Sequence, residues 1–321
     1  MDRQETFADV AWKGKRRVTR REKFLAEMDQ IIPWNEFVRA IEPHYPKAGD
    51  GRRPQGLEKM LRIYMLQVWF GLSDPLAEDT LYDSESMRRF VGVELTGNQI
   101  PDESTILRFR HILEDNQLTE QIFGIVTGLL ERERLLVRSG TIVDATIVEA
   151  PTSTKNSTKS RDPEMRSTKK GQGWHFGMKM HVGTDRHGIV HSLTTTSAAA
   201  ADITEMPKLL HGQEREIFGD QAYWKEQDRQ HYRERNIRYR VNRRGHRHRP
   251  LTEHQKKINQ SRSRTRACGE HAFRIVKMLW GFVKVRYKGL AKNTAQAFAM
   301  FALANLYMVR KHLLPPQPKC L

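Results

Sequence analysis

Three acidic residues sit where their neighbours make them conspicuous. Asp144 interrupts the apolar, β-branched run TIVDATIV. An unpaired carboxylate in a dry strand is costly, so Asp144 meets an arginine, faces solvent on an edge strand, or serves a site. Asp220 follows the short apolar run Ile217-Phe218-Gly219. The C-terminal end of a strand is where α/β sheets place ligand-binding groups, and it is also where an aspartate opens a turn. Glu270 lies in RTRACGEHAFRIVK, with Arg266 four residues before it and Lys277 seven after it. On one helix all three would share a face, either as an ordinary ladder of salt bridges or as a metal ligand beside two phosphate-binding bases. Carboxylates converging on two divalent ions about 3.5–4 Å apart suit phosphodiester cleavage: one ion activates the attacking water or 3′-hydroxyl, the other stabilises the leaving oxygen. The ions must be hard and oxygen-seeking, so Mg²⁺ is expected.

These residues depend on the elements that carry them. Residues 1–135 read as mostly helical. Residues 57–72 show helical spacing, and a second helix is expected over 76–91. A break containing Pro101 spans 98–104, where Asp102 or Ser104 can cap a helix carrying Ile106, Phe109, Ile112 and Leu113. A further helix covers 119–133. The texture changes near Ser139. Residues 141–148 read as a strand, 151–173 as a polar loop or flexible arm, and 174–184 with 189–196 as a hairpin across 185–188. Helix over 198–211, strand over 216–219, helix over 225–235 and strand over 237–242 follow. Long helices are expected over 252–278 and 291–313. The fold class is therefore α/β: a mixed-sheet domain over 136–321, preceded by an all-α domain over 1–135.

Charge narrows the partners. Fifty-five Lys and Arg against 38 Asp and Glu give a net charge of +17, a field that attracts polyanions. Residues 225–288 hold 20 basic and 5 acidic residues, and 13–23 (KGKRRVTRREK) hold seven basic and one acidic. Lys15, Arg16, Arg17, Arg20 and Arg21 are thus candidates for phosphate contact, and Arg274, four residues after Glu270, is another. No run approaches the roughly 20 apolar residues that span a bilayer, and the N-terminus lacks an apolar signal core. Two cysteines, Cys268 and Cys320, argue against a disulfide framework. The expectation is a soluble, unexported protein with no membrane span, whose charge suits a polyanion, chiefly nucleic acid or an acidic membrane surface. His246, His248 and His254, with Cys268 and His271, lack the paired spacing of a zinc finger and are assigned to the basic face. Tyr223 and Trp224 either pack in the core or stack on an unpaired base. Lys155, Lys159, Arg161, Lys169 and Lys170 lie on a segment that is a solvated loop or one that orders on DNA.

Ordered blocks along nearly the whole chain resemble insertion-sequence transposases of the "insertion sequence five" type. They are FADVAW, TRREKFLAEMDQIIPW, IEPHYPK, RPQGLEKMLRIYMLQVWFGLSD, MRRFVG and IPDESTILRFRHILE, then VDATIVEAP, RDPEM, TKKGQGWHFGMKMHVGTD, HSLTTTSAAAAD, FGDQAYW and RTRACGEHAFRIVK. The resemblance implies an RNase H-like fold and a catalytic, metal-binding triad of Asp144, Asp220 and Glu270. It implies two Mg²⁺ ions, with Mn²⁺ as a substitute. The DNA partners implied are the terminal inverted repeats of the element and its double-stranded target. By the same analogy the chain works as a homodimer or larger synaptic assembly in a bacterial cytoplasm, close to the nucleoid. In the signature around the glutamate, Arg266, Glu270 and Lys277 match, while Ser263 stands where the pattern has tyrosine. The 50 residues from Asp220 to Glu270 leave no room for the large β insertion of some relatives. Two other readings of the residues stay open: a transposase-derived DNA-binding protein, and an RNase H-like nuclease without transposition.

Overall fold

The computed structural model describes residues 14–49, 53–95, 100–157, 159–245, 248 and 250–315. Lys13, His246, Cys320 and residues 98–99 of the expected break lie outside them. Helix α1 (Arg20–Ile31) starts at a capping box in which Thr19 and Glu22 satisfy each other's backbone N–H. Helix α2 (Trp34–Ile41), not anticipated from the sequence, buries Phe37 and Ile41. Helix α3 (Leu57–Phe70) ends where Gly71 turns left-handed at φ 67°. The single helix expected over 76–91 is two, α4 (Asp74–Asp83) and α5 (Glu85–Val91), because Ser84 takes an extended backbone between them. Asp102, not Ser104, caps α6 (Glu103–Asp115), accepting from Thr105 N at 2.8 Å. Helix α7 (Leu118–Arg132) closes the helical region.

The sheet begins with β1 (Gly140–Glu149), β2 (Arg166–Lys170), β3 (Gly173–Thr184) and β4 (Val190–Ser197). The polar segment read as a loop over 151–173 therefore contains a strand, paired from Arg166↔Gly177 to Lys170↔Gly173. Gly171, at φ 61°, permits the two-residue turn that joins it to β3. Only Asp202–Glu205 (α8) of the helix expected over 198–211 is α-helical; a 3-10 turn over Met206–Leu209 follows, where Pro207 supplies no backbone donor. Strand β5 (Glu216–Gly219), helix α9 (Glu226–Glu234) and strand β6 (Arg238–Val241) complete the sheet. Its order is β2-β3-β1-β5-β6, with β4 also on β3. β1 is antiparallel to β3 and parallel to β5. This antiparallel-then-parallel arrangement about a central first strand is the mixed, RNase H-like sheet expected.

The helix expected over 252–278 is interrupted. Helix α10 (Glu253–Arg266) passes through a 3-10 turn (Ala267–Gly269) into α11 (Glu270–Arg274) and then a π turn (Ile275–Leu279). Helix α12 (Leu290–Leu313) is lined with buried alanines and larger apolar residues. Its Met300, Phe301 and Leu303 join Leu61 of α3, Val126 of α7 and Met178 of β3 in one hydrophobic cluster. Fully burying such a side chain stabilises by about 1.5–3 kcal/mol, so packing crosses the boundary at residue 135. Buried Asn305 bonds both the N–H and the carbonyl of Val190, at 2.9 and 2.7 Å. It supplies α12 with the polar partner that the β4 backbone needs.

Candidate active site

Register brings the first two carboxylates together. In the parallel β1–β5 ladder Ile142 pairs with Phe218. Two residues further on, in step, stand Asp144 and Asp220, which therefore point to the same face. β5 stops at Gly219 while β1 continues to Glu149. Between Ile142 and Glu149, where Lys284 bridges to the strand, that edge of β1 is left open, and this notch is the site. Glu270 reaches it through the interruption of the helix. A Cβ on buried Gly269 would stand 3.1 Å from Ile142 Cγ2 and 3.4 Å from Thr184 Oγ1, so glycine lets the 3-10 turn lie directly on the sheet. The turn is held from outside by the β3–β4 connection, where Gly188, at φ 87°, lies against the Cys268 carbonyl.

Asp144, Asp220, Glu270, Arg266, Arg274 and Lys277 all line one open cavity of about 940 Å³. Arg266 sits between carboxylates, 3.4 Å from Asp144 Oδ2 and 3.5 Å from Glu270 Oε1. Asp144 thus meets an arginine, and Glu270 pairs, among the described residues, with Arg266 alone, because the interrupted helix turns Lys277 toward β1. Asp144 Oδ1 also accepts from Ala145 N at 3.0 Å, and Asp220 Oδ1 from Ala222 N at 2.7 Å. Burial raises the Asp144 pKa to about 6; Arg266 and the Ala145 N–H oppose this, while Asp220 and Glu270 add to it. Lys277 donates to Thr146 Oγ1 at 3.1 Å and the Ile147 carbonyl at 2.7 Å, which fixes its ammonium on the open edge of β1. Burial and Lys170 lower its pKa.

Sequence reasoning missed two charged residues of the cavity, Lys179 and Asp202, whose side chains pair at 2.8 Å. The available signal was Lys179 itself, a charge in the apolar alternation GMKMHVGTD. Tyr223 is buried in the core and also lines the cavity, and Trp224, partly buried, packs on Tyr239 at 5.6 Å. Ser263 accepts from Asn242 Nδ2 at 2.9 Å, tying α10 to the end of β6. Lys15, Arg16, Arg17, Arg20 and Arg21 do not line the cavity. Lys15 pairs with Glu22, Arg21 lies over Phe70 at 5.4 Å, and Arg16, Arg17 and Arg20 are exposed.

Among the described residues no three of His, Cys, Asp and Glu approach closely enough to hold an ion as they stand. Arg266 lies between Asp144 and Glu270. The donors nevertheless fit a hard cation, since all are carboxylate oxygens facing one cavity. Among the described residues, the buried atoms Tyr223 Oη and Arg266 Nε have no hydrogen-bond partner.

Comparison with known proteins defines the class. Residues 13–112 match the family described as Transposase domain (DUF772), and residues 136–306 match Transposase DDE domain. The second match covers more than half of the chain, and the protein belongs to the DDE transposase family. A solved structure, "Crystal structure of the Mos1 Strand Transfer Complex", is similar at 14% identity over 84% of this chain and 79% of that one, with a TM-score of 0.27. No helix among the described residues is long and apolar enough to cross a membrane.

Proposed function

We propose that this transposase binds the ends of a mobile DNA element, cleaves the DNA there and joins the freed 3′-hydroxyl to target DNA. In this reading Asp144, Asp220 and Glu270 hold its divalent ions, Mg²⁺ or Mn²⁺. The observation that carries the proposal is the in-step position of Asp144 and Asp220 on adjacent parallel strands, with Glu270 lowered onto the same notch by Gly269. Two ions bound there would supply a Lewis acid at the scissile phosphate and an activated water or 3′-hydroxyl.

The remaining chemistry belongs to the chain. The Arg266 fork suits carboxylates and phosphate alike, so it can exchange Asp144 and Glu270 for the DNA backbone. Lys277 is held on β1 by two hydrogen bonds and presents a fixed charge to a phosphate. Arg274 extends the same basic wall. We assign residues 1–135 to recognition of the element's ends and to dimerisation, with Arg16, Arg17, Arg20 and Arg21 on phosphates. Joining two ends to one target needs at least two copies of the chain.

The test is a metal-dependent nicking and strand-transfer assay on a duplex carrying the element's end. Asp144→Asn should lower both reactions by about 10³-fold or more and leave binding of the duplex within about threefold. Full cleavage by Asp144→Asn would remove Asp144 from the site.

A further inference from the structure

Met278 lines the cavity, and two further exposed apolar side chains, Trp174 and Leu279, stand on the elements that border it. Trp174 is 72% exposed, Met278 is 78% exposed and Leu279 is 56% exposed. Large apolar residues left in water at a functional rim mark contact with a ligand. Trp174 stands on the β2–β3 hairpin, directly across from Lys169. Neighbouring residues of a strand point to opposite faces. His175 therefore faces away from Trp174, and its bond to Glu149 at 2.9 Å anchors the hairpin to β1. On the Trp174 face, two residues along, Arg161 lies over the Phe176 ring at 5.4 Å. Trp174 is thus flanked by Lys169 on one side and by the Arg161–Phe176 stack on the other.

The opposite wall has the same character. The π turn Ile275–Leu279 widens the helix locally, sends Lys277 inward to β1 and leaves Met278 on the cavity surface. Lys169 and Lys170 line the cavity together with Lys277 and Met278. The mouth therefore alternates cations with flat or soft apolar surfaces. A duplex backbone offers phosphates to the cations and nothing to the indole. An unpaired strand offers both phosphate and the face of a base.

We propose that the hairpin over residues 166–177 and the π turn form a binding site for unpaired nucleotides at the cleaved DNA end, with a base stacked on Trp174 and Met278 lining its path into the cavity. This rests on the DNA-end reading above and assigns it a strand state. The charge around Trp174 favours nucleic acid over a protein partner, since Arg161, Arg166, Lys169 and Lys170 lie on or beside the hairpin.

The test uses the full chain without metal and two versions of an end duplex, one fully paired and one with its terminal bases frayed and carrying 2-aminopurine. The parent protein should bind the frayed duplex about tenfold more tightly and change the 2-aminopurine emission. Trp174→Ala should abolish both the preference and the emission change, with affinity for the paired duplex unchanged. Trp174→Phe should keep most of both. A preference retained by Trp174→Ala overturns the proposal, as does loss of self-association by that variant with its DNA preference intact, which would make the rim a protein interface. Failure of the parent to bind either duplex would instead break the DNA-end reading itself.

Discussion

Strand β1 and the interrupted helix over residues 253–279 both deliver a carboxylate to the notch, and they do so by opposite means. β1 is a ten-residue strand in register with β3 along most of its length and with β5 at its start. Asp144 is fixed by that ladder, and its side chain is only 14% exposed. The helical segment changes geometry three times, and α10 buries none of its residues. Glu270 emerges from this wall with a side chain 59% exposed. The floor of the site is set by backbone pairing and the wall by close packing of turns, so the floor tolerates less change in side-chain length.

The largest expected contrast follows directly. Asp144→Glu should reduce DNA cleavage by about 10²-fold, since a misplacement near 1 Å is enough for that. Glu270→Asp should lose about tenfold or less, because its wall can adjust. Equal losses in the nicking assay would break the distinction between floor and wall.

Next comes the support of the wall. Gly188 combines φ 87° with a Cβ position 2.4 Å from the Cys268 carbonyl. Gly188→Ala should destabilise the protein by about 1–3 kcal/mol and lower cleavage by displacing the turn before Glu270. Gly92, at φ 75° with nothing among the described residues within 4 Å, is the control. Gly92→Ala carries the backbone strain alone, about 1 kcal/mol. Urea unfolding of the two variants separates contact from conformation, and equal losses would show that the contact with Cys268 does not matter.

A smaller effect concerns the base of the floor. Thr141 Oγ1 meets His191 Nε2 at 3.2 Å and donates to Glu214 at 3.0 Å. Burial, then His211 and Arg138, lower the His191 pKa from 6.5 to about 3. The unfolded chain takes up a proton below pH 6.5 that the folded chain refuses, so stability should fall as pH drops from 6.5 toward 3. Melting temperatures across that window should decline more gently in His191→Gln, and an unchanged slope would remove His191 as a cause.

The smallest effects belong to the N-terminal basic segment, remote from the floor and wall alike. Arg16→Ala and Arg17→Ala should each reduce the slope of log affinity against log salt by about one. Lys15→Ala should change DNA affinity less than either, because Lys15 is held by Glu22. A larger salt effect from Lys15 than from Arg16 would reverse this ranking.

Much of the site was legible because its residues violate local pattern. Asp144 breaks an apolar strand, Asp220 ends one, and Glu270 carries two bases at helical spacing. The alternating run fixed β1, and the alternation of β3 with its turn residues fixed the hairpin to β4. The strand after 165 was hidden because RSTKK has no apolar face; it forms through pairing with β3, which no local signal records. The break at residues 267–269 left only a weak sign, Gly269, a poor helix former inside the otherwise helical pattern of RTRACGEHAFRIVK. Composition, charge and local pattern determined a basic α/β protein with three chemically placed carboxylates. Tertiary structure decided that Asp144 and Asp220 stand in step, that Arg266 lies between Asp144 and Glu270, and that Tyr223 is core while Trp174 is exposed. Each depends on register or on contact between segments far apart in the chain, and side-chain spacing along one segment carries neither.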